Sequence, residues 1–383
     1  MGDTLKRNRK IVFVTGTRAD YGKIKSLIME VEKSSSFVAY IYVSGMHLLK
    51  TLGSTYREVI KDGYSNIYVD FSQSNTGDMS YDLGNTICHF SKYVSHVEPD
   101  LIVVHGDRND ALAGAIVGAQ KNIKVAHIEG GELSGTIDES IRHAISKFAH
   151  VHLVCNDEAK KRLLQLGEEE ERIFIMGSPD IDIMLSDNLP SIGLAKIRYE
   201  IDFGNYGICM YHPVTTEYEH IGKNIKNLVD AMIESGKNYI VIYPNNDYGS
   251  EVIINEYKRI EKNRHFRIFP SIRFEYFLTL MKNADFMIGN SSAGVRETSV
   301  YGIPSIDLGT RQSARYSLKN SNVQHTFEDK DSILECLNNI KEFKVVRKDF
   351  GNGDSTSRFM EILKGDKIWN YNIQKHFIDL NGE

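Results

Sequence analysis

Lys10-Ile11-Val12-Phe13-Val14-Thr15-Gly16-Thr17-Arg18-Ala19-Asp20-Tyr21-Gly22 is the stretch on which the fold turns. Its apolar run does not alternate, as expected of a strand buried on both faces. It feeds into a glycine-bracketed loop, and a helical period follows over 21–33. A strand that turns tightly into a helix is the opening half of a βαβ unit, which calls for a parallel sheet with right-handed crossovers.

The same rhythm recurs downstream. Strand-like runs lie at 38–43, 67–70, 101–105, 124–128, 152–155 and 173–176, with helical periods at 79–96, 110–121, 140–149 and 158–166. The alternation breaks over 186–206, a stretch with Pro190 and Gly204 and no strand candidate. It restarts with strands at 207–211, 239–243, 266–269, 286–288 and 305–308 and helices at 219–234, 251–262, 274–283, 293–301 and 332–340. Further helices are expected at 356–363 and 366–377. The economical reading is an α/β protein of two Rossmann-like, doubly wound halves. Residues 1–188 form the first and 189–365 the second, with a C-terminal helix in 366–383 packing back on the first. In open sheets of this kind ligands sit beyond the carboxyl ends of the strands. Two such halves facing one another are expected to enclose a cleft there.

Composition agrees and excludes several classes of function. At ~150 residues per domain, 383 residues correspond to two or three domains. Acidic residues (51) outnumber basic ones (46), for a net charge of −5, so nucleic acid is not an expected partner. Cys88, Cys155, Cys209 and Cys336 are far apart and form no CxxC or Cys–His cluster. Neither a disulfide framework nor structural zinc is expected, and a reducing cytoplasm is the natural location. The apolar run behind Lys6–Lys10 is too short for a signal peptide, Met1-Gly2 lacks the hydroxyl residue of a myristoylation signal, and no membrane partner is expected.

Unusual residues gather at the strand ends. In Gly16–Gly22 a tight turn into a helix favours an anion, and Arg18 can add a bidentate phosphate contact; the plainer alternative is an ordinary strand-to-helix turn. His105-Gly106-Asp107-Arg108 follows another strand, with Asp107 placed for chemistry and Arg108 for a diphosphate, or with Asp107 merely capping the next helix. The densest stretch runs His127-Ile128-Glu129-Gly130-Gly131-Glu132-Leu133-Ser134-Gly135-Thr136-Ile137-Asp138-Glu139-Ser140-Ile141-Arg142-His143. Glu129 and Asp138 converging near Asp107 suit proton transfer, because crowded carboxylates push one another toward the protonated form. Asp138 and Arg142 are spaced to pair along a helix, and Glu132 reads most simply as a solvated loop charge.

In the second half, His212 ends a strand and can bind a phosphate or move a proton. Asn245, in Tyr243-Pro244-Asn245-Asn246-Asp247, and Ser271, in Pro270-Ser271-Ile272, lie at further strand ends; Ser271 can border a base pocket. Gly289-Asn290-Ser291-Ser292-Ala293-Gly294-Val295-Arg296-Glu297 is the strongest signal there. Ser291 and Ser292 with fresh helix N–H groups form an anion cradle, and Glu297 can accept from both ribose hydroxyls. The alternative is Ser292 as a helix cap and Glu297 as a surface charge. Arg311, in Gly309-Thr310-Arg311-Gln312, can reach the same anion. The charge run 168–172 is expected to be solvated, and no HxxxH, HExxH or DxD pattern at a strand end calls for a metal.

Taken in order, these six segments are specific. The chain resembles the hydrolysing UDP-N-acetylglucosamine 2-epimerases, in particular their sialic-acid-biosynthesis branch. Gly16–Asp20, His105–Arg108, His127–His143, His212-Pro213, Gly289–Glu297 and Gly309–Gln312 carry the resemblance over nearly the whole length. The other branch of the family has Pro-Glu where this chain has Ala19-Asp20, and a kinase domain like that fused to vertebrate members is not expected. The resemblance implies a glycosyltransferase-B-like pair of domains, UDP held mainly by the second, no cofactor, and a homodimer or homotetramer. It implies conversion of UDP-N-acetylglucosamine and water to N-acetylmannosamine and UDP through 2-acetamidoglucal. Asp107, Glu129 and Asp138 would be its acid–base groups, with base and acid left unassigned, and His212 would contact UDP or move a proton. Arg18, Arg108, Arg142, Asn245, Ser271, Ser291, Ser292, Glu297 and Arg311 would bind substrate and nucleotide. Three rivals stay open: a 2-epimerase of a UDP- or GDP-linked 2,4-diacetamido sugar, a glycosyltransferase, and a silent nucleotide-sugar sensor.

Overall fold

A computed structural model describes residues 7–73, 76–313, 315–316 and 318–379. Met1, Gly2, Lys6 and the end of the expected C-terminal helix lie outside them. The chain forms two units. The first takes in the chain up to Glu132, Asp138–Leu185 and everything from Phe350 on; the second takes in Leu133–Ile137 and Ser186–Asp349.

The first unit runs β1 (Arg9–Thr15), α1 (Arg18–Glu32), β2 (Phe37–Val43), α2 (Tyr56–Lys61), β3 (Ile67–Val69), α3 (Met79–Val97), β4 (Leu101–His105) and α4 (Asn109–Gln120). It continues with β5 (Lys124–Ile128), α5 (Ile137–Phe148), β6 (Val151–Val154), α6 (Asp157–Gln165), β7 (Ile173–Ile175) and α7 (Pro179–Met184). Its seven strands are parallel in the order β3-β2-β1-β4-β5-β6-β7. The unbroken apolar run of β1 has the expected cause. Ile11 and Phe13 pack on one face with Ile24, Leu27 and Ile28 of α1. Val12 and Val14 pack on the other with Phe90, Val94 and Ala115 of α3 and α4. Burial on both faces leaves no place for a polar alternation.

The second unit runs α8 (Ile192–Arg198), β8 (Gly207–Met210), α9 (Ile221–Glu234), β9 (Tyr239–Ile242), α10 (Ser250–Tyr257), β10 (Phe266–Phe269) and α11 (Phe274–Lys282). There follow β11 (Phe286–Gly289), α12 (Glu297–Tyr301), β12 (Ser305–Leu308), β13 (Val323–Thr326) and α13 (Lys330–Asn338). Its strands are also parallel, ordered β10-β9-β8-β11-β12-β13. Each order reverses once, between β1 and β4 and between β8 and β11, and such reversals are where doubly wound sheets take their ligands.

Several expectations need correction. Residues from Phe350 on belong to the first unit, so the second ends at Asp349 rather than at 365. The Phe350 carbonyl accepts the Ser178 N–H at 2.7 Å, and α14 (Ser355–Lys364) buries Phe359, Met360 and Leu363 in the core around Phe13. The helix expected at 366–377 shrinks to α15 (Lys367–Asn370), and no helix follows it among the described residues. The charge run at 168–172 is solvated only in its middle: Glu170 and Glu171 are exposed, but Glu168 and Arg172 at its two ends are buried. The Lys375 ammonium from the tail pairs with Glu168 and donates to three carbonyls at the end of α5, those of Ser146, Lys147 and Ala149, at 3.2, 3.0 and 2.7 Å. Burial alone would raise the Glu168 carboxyl, but His152, Lys375 and Lys147 outweigh it and hold the group at about 2. Among the described residues, no helix is long and apolar enough to cross a membrane.

Candidate functional site

In the first unit the unusual residues sit where β1, β4 and β5 end. Gly106 takes φ +75° and turns the chain out of β4. Its N–H bonds the Ile128 carbonyl at 3.0 Å, and its carbonyl accepts the His127 Nε2–H at 2.8 Å. Burial pushes His127 down to about 3, so the ring is neutral and serves as a brace for this turn. Arg108, not Asp107, occupies the cap position of α4, which removes capping as the role of Asp107. Instead the Asp107 carboxylate pairs with the Arg142 guanidinium. Arg142 is 1% exposed and its other terminal nitrogen donates to the Glu129 carbonyl at 2.8 Å. Asp138 is buried in the first turn of α5, one turn before Arg142. One helix and two strand ends thus bring Asp107, Glu129 and Arg142 together.

Glu129 is a non-glycine residue at φ +67°, a conformation that costs roughly 1 kcal/mol or more and persists only where its surroundings hold it. Its carboxylate lies 3.4 Å from Lys23 Nζ, 3.3 Å from His105 Nε2 and 3.2 Å from Ser178 Oγ, which donates to it. Glu132 is 4% exposed, contrary to the solvated loop charge expected. The donor atoms of Glu129, Glu132 and Cys155 lie within 4.8 Å of one another. Lys23 and Arg142 already place positive charge on Glu129, the charge a cation there would supply.

The Gly16 loop differs from the anion cradle expected. Asp20 folds back and accepts the N–H groups of Gly16 and Thr17, each at 3.0 Å, while Thr17 caps α1. The loop's own carboxylate therefore occupies the donors that an anion would use. Arg18 pairs with Glu58. Gly16 is required for another reason: a Cβ there would lie 2.0 Å from Asp110 Oδ2. Asp110 is buried, accepts from Ser44, and is raised to about 6, chiefly by burial.

In the second unit Asn290 holds the loop after β8. Its side chain accepts the His212 N–H at 2.7 Å and donates to the His212 carbonyl at 2.8 Å. His212 Nδ1 accepts the Asn245 N–H at 3.1 Å, which leaves the ring proton on Nε2. Gly289, at φ +135°, has no alternative, because a Cβ would sit 2.0 Å from the Met210 carbonyl oxygen. The helix expected at 293–301 is divided: Ser292–Gly294 form a single 3₁₀ turn capped by Ser291, and α12 begins only at Glu297. Glu297 is buried rather than a surface charge. Arg311 Nη1 donates to the Asn290 carbonyl at 3.2 Å, beside Gln312 Nε2 at 2.9 Å. The Arg311 carbonyl in turn accepts the Gly135 N–H at 2.9 Å, which holds Leu133–Ile137 within this unit. Ser271 and Asn245 are half-buried.

Lys23, Asp180, Ser178 and Asp110 went unread in the sequence. Lys23 left a usable trace, a lysine among Ile24, Leu27 and Ile28 on the buried face of α1.

Comparison with known proteins adds the family. The family model described as UDP-N-acetylglucosamine 2-epimerase matches residues 29–364. A Neisseria meningitidis serogroup B protein named UDP-N-acetylglucosamine 2-epimerase is 47% identical over 378 residues, covering 97% of this chain and 100% of the relative. A Legionella pneumophila protein named UDP-N,N'-diacetylbacillosamine 2-epimerase (hydrolyzing) is 32% identical, covering 93% and 96%. The solved Methanocaldococcus jannaschii UDP-GlcNAc 2-epimerase, in complex with UDP-GlcNAc and UDP, superposes with a TM-score of 0.78 at 21% identity, covering 92% of this chain and 99% of that one. At that identity the likeness shows the fold, glycosyltransferase-B-like with two parallel sheets. The match over most of the length, joined to the 47% relative, means that the chain belongs to the UDP-N-acetylglucosamine 2-epimerase family.

Proposed function

We propose that the protein is a hydrolysing UDP-N-acetylglucosamine 2-epimerase that releases N-acetylmannosamine and UDP, the first step of sialic acid biosynthesis. The observation that carries the reading is the joining of Asp107 and Glu129 through Arg142 at the ends of β4 and β5. The name of the 47% relative supports the sugar nucleotide, and the family resemblance supports the hydrolysing course.

Catalysis is assigned to the first unit and UDP binding to the second. A carboxylate takes the C2 proton while the C1–oxygen bond breaks and its electron pair leaves with UDP, forming 2-acetamidoglucal. Water then adds through oxygen at C1, and a proton returns to the opposite face of C2. Two faces call for separate proton carriers, a role for Asp107, Glu129 and Asp138. The C2 proton is weakly acidic, so charge on the departing diphosphate has to be stabilised. His212, with its proton on Nε2, is a donor suited to that oxygen. Ser291, Ser292 and Arg311 serve the phosphates, Glu297 the ribose, and Asn245 and Ser271 line the nucleotide; Arg108 and Arg142 lie on the sugar side. Arg18 reaches a phosphate only by leaving Glu58. No cofactor takes part in these steps. A homodimer or homotetramer is the proposed assembly, read by light scattering.

Turnover of UDP-N-acetylglucosamine in deuterated water tests the reading. The expected products are UDP and N-acetylmannosamine carrying deuterium at C2; binding without turnover, or transfer only to an added acceptor, sinks it. A second reading, a 2,4-diacetamido sugar nucleotide as substrate, is favoured by the 32% relative's name. A kcat/KM panel of sugar nucleotides separates the two.

A further inference from the structure

Beneath Glu129 lies a second carboxylate with no assigned part. Asp180, in the first turn of α7, is 0% exposed, and neither of its oxygens accepts a hydrogen bond. Lys23 Nζ stands between the two acids, 3.6 Å from Asp180 Oδ2 and 3.4 Å from Glu129 Oε1. A fully buried carboxylate without hydrogen bonds is costly and needs a compensating charge. Here the ammonium that supplies it also touches a proposed acid–base group.

From this geometry we infer that Asp180 is a positioning residue for proton transfer, holding Lys23 and sharing its charge so that Glu129 is not neutralised by it alone. The inference rests on the reading of Glu129 as an acid–base group. Glu129 also faces His105 from β4 and Arg142 from α5, with Glu132 and Cys155 close by. Asp180 touches neither substrate nor reacting atoms in this scheme and acts only through Lys23.

The sign of its effect follows from Coulomb's law. Without the Asp180 charge, the whole field of Lys23 falls on Glu129 and favours its ionised form. In Asp180→Asn the limb of the kcat–pH profile set by Glu129 moves to lower pH by roughly one to two units. Turnover near neutral pH falls about tenfold or more with KM little changed, and Asp180→Glu restores the limb. An unmoved limb overturns the inference, even if kcat drops. Should Asp180→Asn fail to fold, the Lys23→Met background decides. There the two carboxylates face each other, and adding Asp180→Leu lowers the same limb; no change overturns the inference. Infrared titration of the Glu129 carboxyl, identified by its loss in Glu129→Gln, reads the same shifts without turnover. Failure of the epimerase reading therefore shows as missing product, and failure of the Asp180 inference as an unmoved Glu129 band.

Discussion

Arg142 binds the Asp107 carboxylate with one terminal nitrogen and the Glu129 main-chain carbonyl with the other. A planar fork can do this and a single ammonium cannot. Arg142→Met is expected to cost about 3 kcal/mol, because it leaves a largely buried carboxylate without its partner. Arg142→Lys keeps the charge and loses less stability, yet turnover is expected to fall roughly a hundredfold as Asp107 and Glu129 drift apart. Thermal denaturation and kcat measured on both variants separate the two effects.

Asp110 makes a pH-dependent prediction. Its folded value of about 6 lies above the ordinary aspartate value of 3.8, so the folded state holds the proton more tightly than the unfolded one. The cost of ionising it is therefore present above pH 6, fades as pH falls toward 4, and is absent below. Asp110→Asn is expected to stabilise the protein by about 1–3 kcal/mol at pH 7.5, with the gain vanishing near pH 4. Chemical denaturation at the two pH values reads this directly.

Lys375 anchors the tail. Lys375→Met removes the donor to three carbonyls at and just past the end of α5 and one partner of Glu168. The expected loss is about 2–4 kcal/mol, together with early proteolytic cleavage of the segment after α15. Because Glu168 is held at about 2, its stabilising share is lost only as pH falls through that range. Without Lys375 the acid transition begins at higher pH.

Two glycine substitutions should diverge. Gly289→Ala combines φ +135° with a 2.0 Å collision at a backbone oxygen and is expected to cost more than about 3 kcal/mol. Gly84→Ala, inside α3 with nothing near its added methyl, is expected to gain about 0.5–1 kcal/mol. Melting temperatures of the pair give the comparison.

All strands but β13 were legible because burial on two faces forces continuous Val and Ile runs, as in β1 and β4. β13 was not, since Val323-Gln324-His325-Thr326 is a short edge strand with polar residues and no such run. The loop residues announced themselves by glycine and charge together, as at Glu129–Gly131 and Gly289–Glu297. What pattern could not supply was which charges are buried. Glu132, Glu168 and Asp180 sit among exposed-looking neighbours, and only tertiary partners such as Lys23 and Lys375 make their burial tolerable. The broken helix at 293–301 has the same origin: the Ser291–Ser292 turn closes on itself before α12 starts.

The first unit is completed by residues that leave the ribosome only after the whole second unit. Phe359, with its ring 6.2 Å from that of Phe13, comes from a helix made after the whole second unit. During synthesis the sheet that carries Asp107 and Glu129 must therefore wait with one flank of its core uncovered. Domains made from contiguous sequence can close as they emerge; this one cannot. A ribosome stall or nonsense codon between the codons of Asp349 and Phe359 would leave a nascent chain with a finished second unit and a sticky, unfinished first one, and its rescue would fall to chaperones.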